Sequence, residues 1–235
     1  MEGAALRRWP SLCAVCHGWG KGRICAECRD RFGPVVARCR RCALPAAGGV
    51  VECGACLAAP PSFDAAFARV DYAFPWDRLI PAFKFHAALD LAPIFAEAIV
   101  EARHGGGTGA PVPLIVAVPL SEARLRERGY NQAWEVARRV ARRLGAVADS
   151  SLLLRLRDTP HQLALPPDER AANVRGAFAV EPRRLGAVRG RTIAVVDDVL
   201  TTGSTLAEIA RTLKLAGAAR VEGWVVARTP RPDDA

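Results

Sequence analysis

All eight cysteines of this 235-residue chain fall between residues 13 and 56. They form four CxxC pairs, Cys13/Cys16, Cys25/Cys28, Cys39/Cys42 and Cys53/Cys56. Two residues between thiolates let both sulfurs turn toward one ion, and eight thiols are the complement of two closed four-thiolate sites. In a reducing compartment such pairs are poor candidates for lasting disulfides. A segment of about 50 residues with few aliphatic side chains can scarcely bury a core of its own, so the staples dictate its fold. Structural Zn²⁺ at two sites is the preferred reading, with iron or redox chemistry as the competing one. Sequential use of the pairs, first with second and third with fourth, closes shorter loops than a crossed arrangement and is expected. His17, beside Cys16, is read as a solvated neighbour, because four full pairs already supply the ligands.

The remainder is long enough for a sizeable core. At 51% apolar and 24% charged residues the chain is a folded domain with an appendage, not a disordered tail. No window offers the roughly 18–20 uncharged apolar residues that a bilayer requires, so membrane insertion is excluded. The first residues, MEGAALRRWPSLCAVC, carry no apolar stretch ahead of their charges and do not read as a secretory signal, so a cytoplasmic protein is expected. The net charge of +9 is almost all arginine, and two Zn²⁺ held by eight thiolates would lower it to +5. That excess favours phosphates without separating nucleic acid from nucleotide.

A Pro/Ala linker at 57–63 divides a double zinc-ribbon-like module with four cysteines per site (1–60) from an α/β domain (61–235). In the second part, helical spacing is expected over 76–85, 89–103, 131–144 and 206–216. Apolar strands are expected over 114–118, 176–180, 192–196 and 221–227. Asn131 to Leu144 is the clearest helix, with Ala133, Val136, Ala137, Val140, Ala141 and Leu144 in its buried stripe and Arg138, Arg139, Arg142 and Arg143 opposite. Unbroken apolar strands alternating with amphipathic helices indicate a parallel sheet.

The run Ile193 to Thr205, IAVVDDVLTTGST, carries the chemistry. A buried strand delivers Asp197 and Asp198 at its carboxyl end, the edge where open α/β sheets bind ligands. Thr201, Thr202, Gly203, Ser204 and Thr205 then lead into a helix. Glycine permits a tight turn, the hydroxyls donate, and the helix N-terminus adds partial positive charge. The product is a phosphate cradle beside two carboxylates, which must face sugar hydroxyls, a metal ion, or both. A plain N-cap at Ser204 or Thr205 is the competing reading. Neither GxxxxGK[ST] nor GxGxxG occurs, so a Walker-type site and a dinucleotide site are unsupported.

This run resembles the phosphoribosyl-pyrophosphate (PRPP) signature of type I phosphoribosyltransferases. The resemblance implies that Asp197 and Asp198 engage the ribose hydroxyls and that Thr201 to Thr205 hold the 5′-phosphate. A narrower resemblance spans nearly the whole chain. It is carried by the four CxxC pairs, Lys84-Phe85, Val118-Pro119-Leu120, Arg128-Gly129-Tyr130-Asn131-Gln132, Arg157-Asp158-Thr159-Pro160-His161-Gln162, Arg170, Asn173 and the signature, in that order. Together these are similar to the ComF family, linked to DNA uptake in natural transformation or to DNA utilisation. Ala87 stands where a glycine is expected after Lys84-Phe85, a departure confined to the local loop. The resemblance implies a type I phosphoribosyltransferase-like fold, a mostly parallel sheet flanked by helices behind the zinc module. It also implies Mg²⁺ arriving with PRPP if the site is active.

Val118-Pro119-Leu120 turns toward the sheet edge where type I transferases place their diphosphate loop. Arg124, Arg126 and Arg128 follow, and guanidinium binds phosphate oxygens bidentately. Their alternation argues against a shared helical face, so Arg128 and one other are expected to point inward, with a solvated basic loop as the alternative. Asn131 and Gln132 are read equally as helix caps or ligands. The polar stretch 155–175 resembles the loop that closes over the transferase centre, making Arg157, Gln162, Arg170 and Asn173 candidates.

Two functions follow: an active phosphoribosyltransferase joining PRPP to an unidentified base or amine, or a DNA-uptake protein with a PRPP-type site. The second is preferred, with turnover left open and no catalytic residue assigned. Single-stranded DNA and DNA-uptake proteins are the expected partners. Arg38, Arg40, Arg41 and the arginines of 131–144 would meet phosphates, while Trp9, Trp19 and Trp134 are the aromatic candidates. The α/β part is expected to keep PRPP binding without residues 1–60.

Overall fold

The computed structural model describes residues 10–46, 48, 50–106, 113–157 and 172–230. The cysteine segment comprises β1 (Pro10–Leu12), β2 (Trp19–Lys21), α1 (Ala26–Phe32) and α2 (Gly54–Ala58). The rest runs β3 (Ala65–Asp71), α3 (Trp76–Phe85), α4 (Ala92–Gly105), β4 (Leu114–Ala117), α5 (Glu122–Arg128), α6 (Gln132–Leu144), β5 (Ala148–Asp149), β6 (Leu153–Arg155), β7 (Phe178–Val180), β8 (Thr192–Leu200), α7 (Ser204–Leu215) and β9 (Arg220–Arg228).

Five strands form one parallel sheet in the order β3-β9-β8-β4-β5. The middle strands are apolar because both faces are covered. Alternation along β9 makes this concrete. Trp224 lies under the Arg103 guanidinium of α4, at 5.4 Å from the ring centroid. The next residue back, Gly223, faces α7, where an added Cβ would fall 2.2 Å from Leu206 Cδ2. Only glycine lets that helix sit so close to the sheet. The fully buried Trp224, Phe95, Ile99, Ile115, Ile193 and Leu213 fill the layers on either side.

Local rules account for the boundaries. Asn131 caps α6, its Oδ1 accepting from Ala133 N (2.9 Å) and Trp134 N (3.2 Å), and Gly145 closes the helix at φ 62. Pro93 in the first turn starts α4, so the helix expected over 89–103 begins three residues late, behind a single 3-10 turn at Leu89–Leu91.

Beside the short strands β5 and β6, which no expected strand covers, two longer elements depart from the sequence reading. β3 was not anticipated: it is alanine-rich, and its strand character comes from pairing with β9 and burial, not from propensity. The segment after Leu120, read as a loop, is helix α5, capped by Ser121 and ended by Gly129 at φ 77.

The cysteine segment repeats one plan twice. A knuckle carries the first pair of each set. The residue after it, His17 or Ala43, sits at φ 60 or 59. The second pair then opens a helix, with Cys25 and Cys53 as N-caps.

Candidate functional site

At the carboxyl edge of the sheet a cleft of about 220 Å³ opens between α3, α5 and the loop joining β8 to α7. Its floor is the acid pair. Asp197 is partly exposed, whereas Asp198 is 3% exposed. Each carboxylate accepts a backbone amide: Asp197 Oδ1 from Asp198 N and Asp198 Oδ1 from Val199 N, both at 2.9 Å. Lys84 reaches down from the last turn of α3 to Asp198, with Nζ 2.9 Å from Oδ2 and 3.3 Å from Oδ1.

These contacts divide the protons unevenly. Burial, then the neighbouring Asp198 charge, pushes Asp197 up to about 7 against the pull of Lys84. Burial also acts on Asp198, but the Lys84 ammonium, through charge and hydrogen bond, holds that carboxyl below its ordinary range. Lys84 is desolvated too, yet the two carboxylates raise it, so it stays protonated.

One wall is the loop Thr201 to Thr205. Gly203 turns at φ 85, and Ser204 begins α7. Thr201, Gly203, Ser204 and Thr205 line the cleft. Thr202 lines a different groove, alongside Cys42 and Cys56, and its Oγ1 lies 2.9 Å from Ser204 Oγ. The opposite wall is basic. Arg124 and Arg128, four residues apart on α5, both face the cleft, while Arg126 pairs outward with Glu122. The three guanidiniums therefore do not share one side: Arg128 and one other, Arg124, turn to the cleft and Arg126 turns away. Arg128 stacks over Phe85 at 5.1 Å and donates to Gln132 Oε1.

Tyr72, Gln132 and Arg155 also line the cleft. Tyr72 and Arg155 were missed in the sequence. Tyr72 directly follows β3, so recognising that strand would have brought it to the same edge. Asn131 acts as a cap and donates to Val118 O at 3.0 Å, which leaves Gln132 as the member of that pair facing the cleft. Arg157 lies elsewhere, donating to Arg175 O. Gln162, Arg170 and His161 fall outside the described residues.

The cysteines gather sequentially: Cys13, Cys16, Cys25 and Cys28 in one tetrad, Cys39, Cys42, Cys53 and Cys56 in the other. Within each, all four sulfurs lie within 4.8 Å of one another, and Cys16–Cys25 and Cys42–Cys53 are 3.8 and 3.7 Å apart. A tetrahedron with metal–sulfur bonds of about 2.3 Å has edges of about 3.8 Å, so the donor sets fit one ion each. Amides support the sulfurs, Cys25 N on Cys13 Sγ (3.4 Å) and Cys53 N on Cys39 Sγ (3.2 Å).

A parallel sheet with an acid pair and a threonine-rich loop at its carboxyl edge defines a type I phosphoribosyltransferase-like protein. Residues 131–234 match the phosphoribosyl transferase domain family. The chain is 36% identical over 231 residues to the DNA utilization protein YhgH of Salmonella typhi, covering 94% of this chain and 98% of that one. Its identity to the YhgH protein of Escherichia coli K12 is 36% over 226 residues, with the same coverage. Competence protein F of Haemophilus influenzae is 30% identical over 223 residues, covering 92% of this chain and 96% of the relative. The chain belongs to the ComF family, with these proteins among its relatives.

Proposed function

We propose that this chain serves DNA uptake or DNA utilisation and that its cleft binds the ribose 5-phosphate portion of PRPP or a related ligand. The carrying observation is that Asp197, Asp198, Thr201, Gly203, Ser204 and Thr205 border one cleft whose far wall holds Arg124 and Arg128. Ionised carboxylates accept from vicinal ribose hydroxyls. Backbone amides and hydroxyls at the start of α7 suit the 5′-phosphate. Arg124 and Arg128 suit a diphosphate, which would bring its own Mg²⁺. Zn²⁺ is the ion in each tetrad, in keeping with four thiolates. Reduced thiolates suit the cytoplasm, and among the described residues no helix is long and apolar enough to cross a membrane.

Single-stranded DNA is read as the polyanionic partner. Arg139, Arg142 and Arg143 border a groove with Pro93 on the outer face of α6, apart from the ribose cleft. Calorimetric titration of PRPP with Mg²⁺ tests the ligand. Binding by the wild type and its loss in Asp197→Ala/Asp198→Ala is the expected result, and no binding by the wild type overturns the reading. Single-stranded DNA affinity measured across a salt series should fall steeply, and a flat response would remove DNA from the account.

A further inference from the structure

The second tetrad and the phosphate loop share a buried guanidinium. Arg228 ends β9 and is 7% exposed. Its Nε donates to Cys42 O at 2.9 Å. Its Nη1 donates to Leu200 O at 2.8 Å, to Thr229 O at 2.7 Å and to Thr201 O. Cys42 is one of the four sulfur donors, and Leu200 and Thr201 are where β8 turns into the phosphate loop. A single rigid, planar group therefore sets the distance between the metal-site backbone and the start of the loop.

A second brace runs in the opposite sense. Arg38, just before the knuckle, donates from Nη1 to Asp71 Oδ1 at 2.7 Å and to Ala43 O at 3.1 Å. Ala66 N donates to Arg40 O at 3.0 Å, and Tyr72 N to Arg228 O at 2.8 Å. The ends of β3 and β9, and Tyr72 beside the cleft, are thus tied to the 38–46 turn. The first tetrad is anchored differently. Among the described residues its segment reaches α3, α4 and the turn before α4 through Phe32 O with Trp76 Nε1 (2.7 Å), Arg29 with Glu97 (3.3 Å) and Arg23 with Asp90 (2.7 Å). None of those partners borders the phosphate loop.

We infer that Arg228 is a positioning residue through which the Cys39/Cys42/Cys53/Cys56 centre holds the phosphate loop in its binding shape, so that metal retention at this centre and phosphate-ligand binding are coupled. The inference rests on reading Thr201–Thr205 as the phosphate site. A guanidinium buried among carbonyls keeps its geometry only while its acceptors stay fixed. When the metal leaves, the knuckle carrying Cys42 O relaxes and the Leu200–Thr201 turn loses one side of its clamp. Linkage makes the effect reciprocal: a ligand that needs the ordered loop must tighten the metal at this centre and not at the other.

The test uses the full chain with the metal it carries on purification and ribose 5-phosphate as probe. Metal is partitioned to equilibrium against a chromogenic chelator with and without saturating probe. Thiol alkylation read by mass spectrometry assigns each loss to a tetrad. In the wild type the probe should raise the metal affinity of Cys39, Cys42, Cys53 and Cys56 about tenfold, with that of Cys13, Cys16, Cys25 and Cys28 unchanged. Arg228→Lys keeps the charge but not the fork, and should abolish the selective protection and weaken probe binding about tenfold. Arg29→Gln should leave the protection intact. The wild-type comparison stands even if Arg228→Lys fails to fold. Equal protection of both tetrads means general stabilisation and overturns the inference, as does protection of neither in a chain that binds the probe. A wild type that binds no ribose 5-phosphate overturns the site reading itself, and the inference with it.

Discussion

Lys84 Nζ stands 2.9 Å from Asp198 Oδ2, the lysine closing α3 and the acid lying in the central strand 114 residues later. The bridge fixes which acid carries the proton. Asp198 stays ionised against Lys84, and Asp197, desolvated beside a like charge, is the one that accepts a proton near neutrality.

Removing Lys84 leaves Asp198 buried without its cation, and removing the Asp198 charge leaves Lys84 only the neighbouring Asp197. Asp198→Asn should lower stability by about 2 kcal/mol, less than the ~3–5 kcal/mol of a fully enclosed pair because the Lys84 side chain keeps 30% exposure. Lys84→Met should cost less than Lys84→Ala, since the methionine refills the stem's volume. Urea unfolding of the three variants gives the comparison.

Asp197 gives the stability a definite pH slope. Its folded value of about 7 lies above the ordinary 3.8, so between those values the native state binds the extra proton. Its contribution is full below about pH 4 and declines as pH rises toward 7. Asp198 acts oppositely, its contribution being lost only in acid below its ordinary range. Unfolding free energies at pH 5 and pH 8 should differ less in Asp197→Asn than in the wild type.

Gly203 holds φ 85, and the nearest atoms to an added Cβ are Phe63 and Leu200 at 3.6 Å or more. Space is available, so the backbone alone resists substitution. Gly203→Ala should cost about 1 kcal/mol and widen the loop, weakening ribose 5-phosphate binding more than stability. Calorimetric titration beside thermal unfolding separates the two effects.

Arg124→Gln or Arg128→Gln should weaken PRPP binding about tenfold through a lost charge-assisted bond, while ribose 5-phosphate, lacking the diphosphate, changes little. Parallel titrations of the two ligands report the difference. Equal losses would assign these arginines to the monophosphate instead.

Deleting residues 1–60 removes Cys42 O from Arg228 and Arg38 from Asp71. The truncated chain should bind ribose 5-phosphate poorly and melt lower than the full chain, contrary to the expectation that the α/β part keeps its binding without residues 1–60. Light scattering and calorimetry on the truncated chain provide the check.

Short-range chemistry is what the order of residues specifies unaided. CxxC spacing brings two sulfurs to one ion, loop entropy favours sequential tetrads, and DDVLTTGST carries strand end, acids, turn and helix start within one stretch. The stripe of α6 was legible because its apolar positions repeat at helical period. Tertiary structure decided the rest. β3 is a strand because β9 pairs with it, and the side of α5 that Arg124 and Arg128 share emerges once the segment is helical. The pairing of Lys84 with Asp198 and of Arg228 with Cys42 joins residues over 100 positions apart. No local pattern encodes such contacts, because burial against a distant neighbour, and the loss of water there, exists only after the sheet has assembled.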